Sequence, residues 1–146
     1  MLEYICINQV CQIFHSLPLN LPSIALPSTG IGPERFAFIS VDGGYTGEKD
    51  PASTSQLNFN AEHGFYITAP DYILRPEVLE SNFYAWRVTG DTKYLDRAVL
   101  AVTKFEEYLK VKETGGYGGL YDVDNTNSQR VDDTESFWYA EVLKYL

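Results

Sequence analysis

The sequence predicts an all-α fold, built of helical hairpins with a short β-hairpin or loop insertion. Three observations carry this. Leu79, Phe83 and Trp86 recur at helical spacing behind a proline. A Gly90-Asp91 joint follows, short enough to make the flanking helices antiparallel neighbours. Beyond it Tyr94, Ala98, Ala101, Phe105 and Tyr108 fall on one apolar stripe.

In chain order, residues 1 to 27 form a poorly patterned lead-in broken by Pro18, Pro22 and Pro27, and are expected to be poorly ordered. This segment carries Glu3 and no Lys or Arg, so it lacks the basic start of a signal peptide. Its prolines do not suit a membrane span of roughly 20 apolar residues, and no direct membrane contact is expected. Cys6 and Cys11 lack metal-type spacing and leave the redox state open. STGIGPERF (28 to 36) reads as a turn in which Pro33-Glu34 is expected to open a short helix. VDGGYTGEKDPASTS reads as an exposed loop.

Past Asn60 the pattern sharpens. Pro76 suits a first helical position, where its missing N–H costs nothing, and the helix runs to about Val88. Gly90 stops it and Asp91 is placed to cap the next helix. There Leu95, Val99, Val102 and Leu109 widen the apolar stripe, and Gly115 and Gly116 end the hairpin. YGGLYDVDNTNSQRVD reads as a loop, with a short strand pair expected around Leu120 to Val123. Asp132 or Asp133 is expected to cap a last helix, with Glu135 in a capping box from Asp132. That helix runs through Phe137, Trp138, Ala140, Val142, Leu143 and Leu146. It has no stop signal, so residues belonging to this fold are expected to be missing.

The chain has 146 residues, enough for one domain with a core. Its formal net charge of -9 argues against a nucleic-acid partner, which needs a basic face. Eleven Tyr and two Trp suit a groove for sugar or peptide, and equally suit packed helical hairpins. His15 and His63 lack ligand-like spacing to each other. DVDNTNSQRVDD resembles a calcium loop, but Asn127 stands where Gly is required and Asp133 where Glu is expected. No Ser-His-Asp order, phosphate loop or zinc spacing stands out.

The carboxylates are more informative. Glu77 and Glu80 lie three residues apart at a helix start, sharing a face beside the positive end of the helix dipole. A carboxylate held there suits a general base or a cation site. Ordinary capping chemistry gives the same pattern, and on local grounds it is the commoner explanation. Glu34, Glu77 and Glu135 each open a predicted helix, and helices running the same way would gather them at one rim. For Glu135 dipole compensation is the preferred explanation. Phe137 and Glu141 are one turn apart, pointing an aromatic ring and a carboxylate the same way. Arg75 beside Glu77 suits orienting a carboxylate or binding sugar hydroxyls, and equally a surface ion pair of little value.

These segments, taken together, resemble glycoside hydrolase family 47, the class I α-1,2-mannosidases, and its fungal members most closely. STGIGPERF matches a Thr-Gly-x-x-Pro-Glu motif, and YILRPEVLESNFYAWRVTGDTKYLD a Leu-Arg-Pro-Glu-x-x-Glu-Ser helix with its turn. GGYGGLYDVDN and DDTESFWYAEVLKYL match a late loop and a Glu-Ser-Phe-x-x-x-Glu-x-Leu-Lys-Tyr helix. The likeness covers 28 to 146, and the lead-in over 1 to 27 does not share it.

The resemblance implies that 28 to 146 form the C-terminal part of a catalytic (α/α)7 barrel with a calcium ion at the base of its pocket. It implies calcium-dependent trimming of terminal α-1,2-linked mannose from high-mannose N-glycans, with inversion. Inversion needs one carboxylic acid and one carboxylate base flanking the bond. By motif Glu77 corresponds to the base, and Glu34 to a pocket residue on the acid side. Arg75, Phe137 and Glu141 correspond to sugar contacts, while Glu77, Glu80 and Glu141 correspond to carboxylates holding water around calcium. The direct calcium ligand, a Thr, belongs to a motif beyond Leu146 and is absent from this chain. The family setting is the endoplasmic reticulum, the Golgi or the exterior. An incomplete, inactive fragment is therefore expected. The alternatives are a non-catalytic mannose-binding remnant, and a helical-repeat interaction module. The latter rests on TGDTKYLDRA, which is similar to tetratricopeptide units but occurs once rather than about every 34 residues.

Overall fold

The computed structural model describes residues 27–39, 45–46, 51 and 53–146. Cys6, Cys11, His15 and all of the lead-in except Pro27 lie outside the described residues. The described elements are mostly helical, with a small antiparallel sheet.

The sheet has the order β2-β1-β3, with β1 at Arg35–Ile39, β2 at Tyr45–Thr46 and β3 at Tyr66–Ala69. Here the expected helix opened by Pro33-Glu34 is replaced by a strand. Arg35–Ile39 is rich in aromatic and β-favouring residues, and Phe36 pairs with Ile67 and Ala37 with Tyr66 across β1 and β3. The Glu34 backbone N–H donates to the Asp71 carbonyl at 2.7 Å, extending the pairing past the strand end. Helix α1 (Thr54–His63) starts inside the stretch read as loop and continues beyond it. Ser53 caps it by accepting the Gln56 N–H, and Gly64 closes it at φ +80°. No residue of α1 is fully buried, and Gln56, Phe59, Asn60 and His63 form a half-buried side that is mostly polar; Phe59 packs edge-on to Phe65 at 5.3 Å.

The hairpin stands as expected. Helix α2 spans Glu77–Thr89 behind Pro76, Gly90 ends it at φ +70°, and α3 spans Lys93–Lys104. The Asp91 carboxylate accepts the Lys93 N–H at 3.0 Å, which satisfies one of the orphan donors at the start of α3. The stripe on α3 is narrower than predicted. Tyr94, Phe105 and Leu109 are buried, whereas Leu95, Leu100, Val102 and above all Val99 (67% exposed) face outward. After Lys104 the helix widens into a π turn, Phe105–Leu109, closed by Lys110 N–H to the Phe105 carbonyl at 3.2 Å.

The last helix begins at Ser136, passes through a π turn at Trp138–Val142 and ends in α4 (Leu143–Tyr145). Asp132 and Asp133 therefore stand several residues ahead of it, and the expected capping box does not start this helix. Thr134 instead donates its hydroxyl to the Tyr117 carbonyl at 2.5 Å, tying the approach to the preceding loop. Trp138 sits in the core against Phe105 (5.5 Å) and Tyr117 (4.8 Å).

Three irregular segments cross beneath the hairpin. Tyr72 and Leu120 exchange N–H to carbonyl bonds, both 2.9 Å, and Val123 N–H donates to the Pro70 carbonyl at 2.8 Å. Thr29 Oγ1 donates to the Val123 carbonyl at 2.6 Å. Leu120 also bridges to Arg130, so the expected strand pair is realised as single bridges rather than a hairpin. The close approach requires glycine: a Cβ on Gly119 would run into the Tyr72 carbonyl, and one on Gly118 would sit 2.5 Å from the Val131 carbonyl.

Gly119→Ala should therefore cost about 3 kcal/mol in urea melts, as overpacking against backbone. Gly64→Ala, whose Cβ would meet nothing within 4 Å, should cost about 1–2 kcal/mol from its left-handed φ alone. Equal losses in the two variants would refute the close approach.

Candidate active site

Of the predicted site residues, three meet at one place. Glu34, Arg75 and Glu77 line a small cavity of about 60 Å³ floored by Ile31, Tyr72, Leu79, Ala101 and Phe105, with Lys104 on its wall. Glu34 comes from the segment before β1, and Arg75 and Glu77 from the turn into α2. These are distant in sequence and are joined by the backbone crossings described above.

Glu34 is occupied on both oxygens. Its Oε1 accepts the Ile73 N–H at 3.0 Å and its Oε2 accepts the Arg75 Nε–H at 2.5 Å. Its side chain is 11% exposed, against 47% for Glu77. Arg75 also reaches Glu77, Nη1 to Oε1 at 3.7 Å. The Arg75 pKa is raised, first by the hydrogen bond to Glu34, against a lowering by burial, with the charges of Glu34, Glu77 and Glu135 adding. Glu135 adds the smallest of these effects, from the residue just ahead of the last helix, and does not line the cavity. With the guanidinium half exposed, the Arg75–Glu34 bond contributes roughly 1 kcal/mol.

Leu74 was missed in the sequence. It is fully buried and holds φ +67°, a left-handed conformation that costs a non-glycine residue about 1–2 kcal/mol. Leucine gives no sequence signal for such a backbone, unlike Gly or Asn. Tyr72 was also missed. Its buried hydroxyl donates to the Arg75 carbonyl at 3.1 Å, and its ring stacks on Phe105. Burial pushes the phenol pKa well up, and the charges of Glu34 and Glu77 push the same way.

The other predicted residues do not line the cavity. Glu80, one turn along α2 from Glu77, accepts the Tyr145 hydroxyl at 2.9 Å and so ties α2 to the last helix. This bond is the main reason the Tyr145 phenol pKa is raised, with burial and the Glu80 charge adding. Phe137 is half-buried against the core, and Glu141 lies in the π turn of the last helix. Among the described residues no three His, Cys, Asp or Glu side chains converge to hold a metal. No described helix is long and apolar enough to cross a membrane.

The model for glycosyl hydrolase family 47 matches residues 23–146. The chain belongs to this family. Family relatives include mannosyl-oligosaccharide alpha-1,2-mannosidase 1B of Aspergillus phoenicis, 43% identical over 118 residues. That alignment covers 80% of this chain and 21% of the relative. The probable enzyme of the same name from Aspergillus clavatus is 46% identical over 119 residues, again 80% of this chain and 21% of the relative. Among solved structures, an alpha-1,2-mannosidase from Trichoderma reesei superposes with a TM-score of 0.71 at 46% identity. The superposition covers 82% of this chain and 24% of that family member. The chain thus spans about a fifth of the length of the curated relatives it matches.

Tyr72 and Tyr145, with Tyr108 and Tyr117, are phenols whose raised pKa makes the fold lose stability at alkaline pH. Below about pH 10, the ordinary phenol value, folded and unfolded chains both keep these protons and the contribution is complete. Above it the unfolded chain releases protons that the folded chain retains, so stability falls as pH rises. Urea midpoints should be level from about pH 8 to 9 and drop beyond about 10, less steeply in Tyr145→Phe than in the wild type. Equal slopes would rule out a contribution from Tyr145.

Proposed function

We propose that this chain carries the base side of an inverting α-1,2-mannosidase site, with Glu77 as the general base. The observation that carries the reading is the convergence of Glu34, Arg75 and Glu77 on one cavity, all three within the stretch that the family model matches. Glu77 is the more exposed of the two carboxylates on that wall and sits in the first turn of α2. There it stands at the positive end of the helix dipole. In the reaction its carboxylate takes a proton from the water that attacks the anomeric carbon, while an acid protonates the departing glycosidic oxygen. Arg75, which contacts Glu77, would orient that carboxylate and bind sugar hydroxyls. Phe137 would offer a ring to the apolar face of the sugar, and Glu141 a further hydroxyl contact. The substrate class is a high-mannose N-glycan, and the setting is the secretory pathway or the exterior. The hairpin α2–α3 and the last helix would be part of an (α/α)7 barrel.

The family implies a calcium ion, with Glu77, Glu80 and Glu141 engaging it through water. The described residues do not fit it by themselves, because Glu80 is committed to Tyr145 and no three such side chains converge.

Glu34 and Glu77 are the carboxylates on the cavity wall, and Glu34 has both oxygens engaged, so the chain alone presents a base without a free acid opposite it. Little or no turnover by the isolated chain is expected. A mannose-binding remnant is less well supported: about 60 Å³ is far below the roughly 300 Å³ at which ligand pockets begin.

The role of Glu77 is open to test by grafting residues 28–146 into the Trichoderma enzyme in place of its matching segment. The isolated chain should leave α-1,2-mannobiose intact and the graft should hydrolyse it. Glu77→Gln in the graft should lower kcat by roughly 10²–10⁴-fold with KM little changed. A graft whose kcat survives that substitution has its base elsewhere.

A further inference from the structure

We propose that Glu34 is a positioning residue, clamping the left-handed Leu74 turn from both sides so that Arg75 and Glu77 face the cavity. The clamp rests on the mannosidase reading only for what the aimed groups then do.

The two Glu34 oxygens bind the residues flanking Leu74, Ile73 through its backbone N–H and Arg75 through its side chain. The Glu34 backbone N–H adds a third bond, to Asp71. One residue thus spans the turn from 71 to 75. Nothing local favours a left-handed leucine, so the turn is held from outside. Arg75 precedes Pro76, which narrows its own backbone freedom, and Glu77 opens α2 just beyond. The orientation of the Leu74 turn is therefore passed directly to both groups. From the core side the Tyr72 hydroxyl fixes the Arg75 carbonyl, so Arg75 is held by its main chain within and by its guanidinium at Glu34.

The same geometry argues against Glu34 as the acid. A general acid must present a proton on an oxygen facing the leaving group. Both Glu34 oxygens are acceptors of donors from its own chain, and its side chain is largely covered.

The clamp is read by nitrogen-15 NMR of the full chain, without sugar or turnover. The Arg75 Nε–H should exchange with water roughly tenfold more slowly than those of the exposed Arg87 and Arg130. In Glu34→Gln, which keeps an oxygen for Ile73 but loses the charge, that protection should vanish while the Ile73 amide stays protected. In Glu34→Ala both should be lost and the Glu77 amide should shift. A cooperative melt shows which variants fold, and Glu34→Gln decides if Glu34→Ala does not. An Arg75 Nε–H that exchanges like Arg87 in the wild type, or that is unchanged in Glu34→Gln, overturns the proposal. Failure of the mannosidase reading would show instead in the Glu77 graft and leave these signals as they are.

Discussion

The reciprocal backbone pair between Tyr72 and Leu120 is the constraint on which the rest of this structure depends. It brings a late loop against the segment that carries Leu74, Arg75 and Pro76, at a separation only a glycine at 119 permits. From that crossing Val123 reaches back to Pro70 and Thr29, which sets the segment carrying Glu34 alongside. Above it the rings of Tyr72, Phe105 and Trp138 pack in series, so the hairpin and the last helix rest on the same point. Each of these backbone bonds joins groups from two different segments, which is how burial of the crossing is made tolerable.

The π turns serve that packing. Phe105 and Leu109 are both buried within one, and Trp138 and Val142 within the other. An α-helix also sets residues four apart on one face, but the wider turn holds an extra residue in the ring and shifts the register of the next residues. Helix α3 can in this way bury Tyr94 near its start and Phe105 and Leu109 after its end, without burying Val99 or Val102. The last helix likewise turns Tyr145 toward Glu80 on α2.

The parts of the fold written in local chemistry were legible. Pro76 and Gly90 bound α2, and the spacing of Leu79, Phe83 and Trp86 between them is periodic enough to read. The antiparallel hairpin followed from the short joint. Helix α1 was not legible because its half-buried side carries Gln56, Asn60 and His63 beside Phe59 and so gives no apolar stripe, although Ser53 and Gly64 punctuate it. Strand β1 was misread because Pro33-Glu34 has the composition of a helix start, and only Asp71 and β3, far along the chain, decide otherwise. In the site, Arg75 and Glu77 were visible as a motif. The double commitment of Glu34 and the backbone of Leu74 were not, because both are set by partners distant in sequence or by packing.

The outward apolar residues of α3 have a colloidal consequence. Leu95, Val99 and Val102 succeed one another along one side of the helix, and Val88 on α2 is 69% exposed. Copies of the chain would attract one another through such a row, over contact distances only. The formal charge of -9 repels them at longer range. At physiological ionic strength that repulsion decays over about 8 Å, and added salt shortens it further without weakening the apolar attraction. The charge of this acidic molecule therefore opposes association, and added salt weakens that opposition.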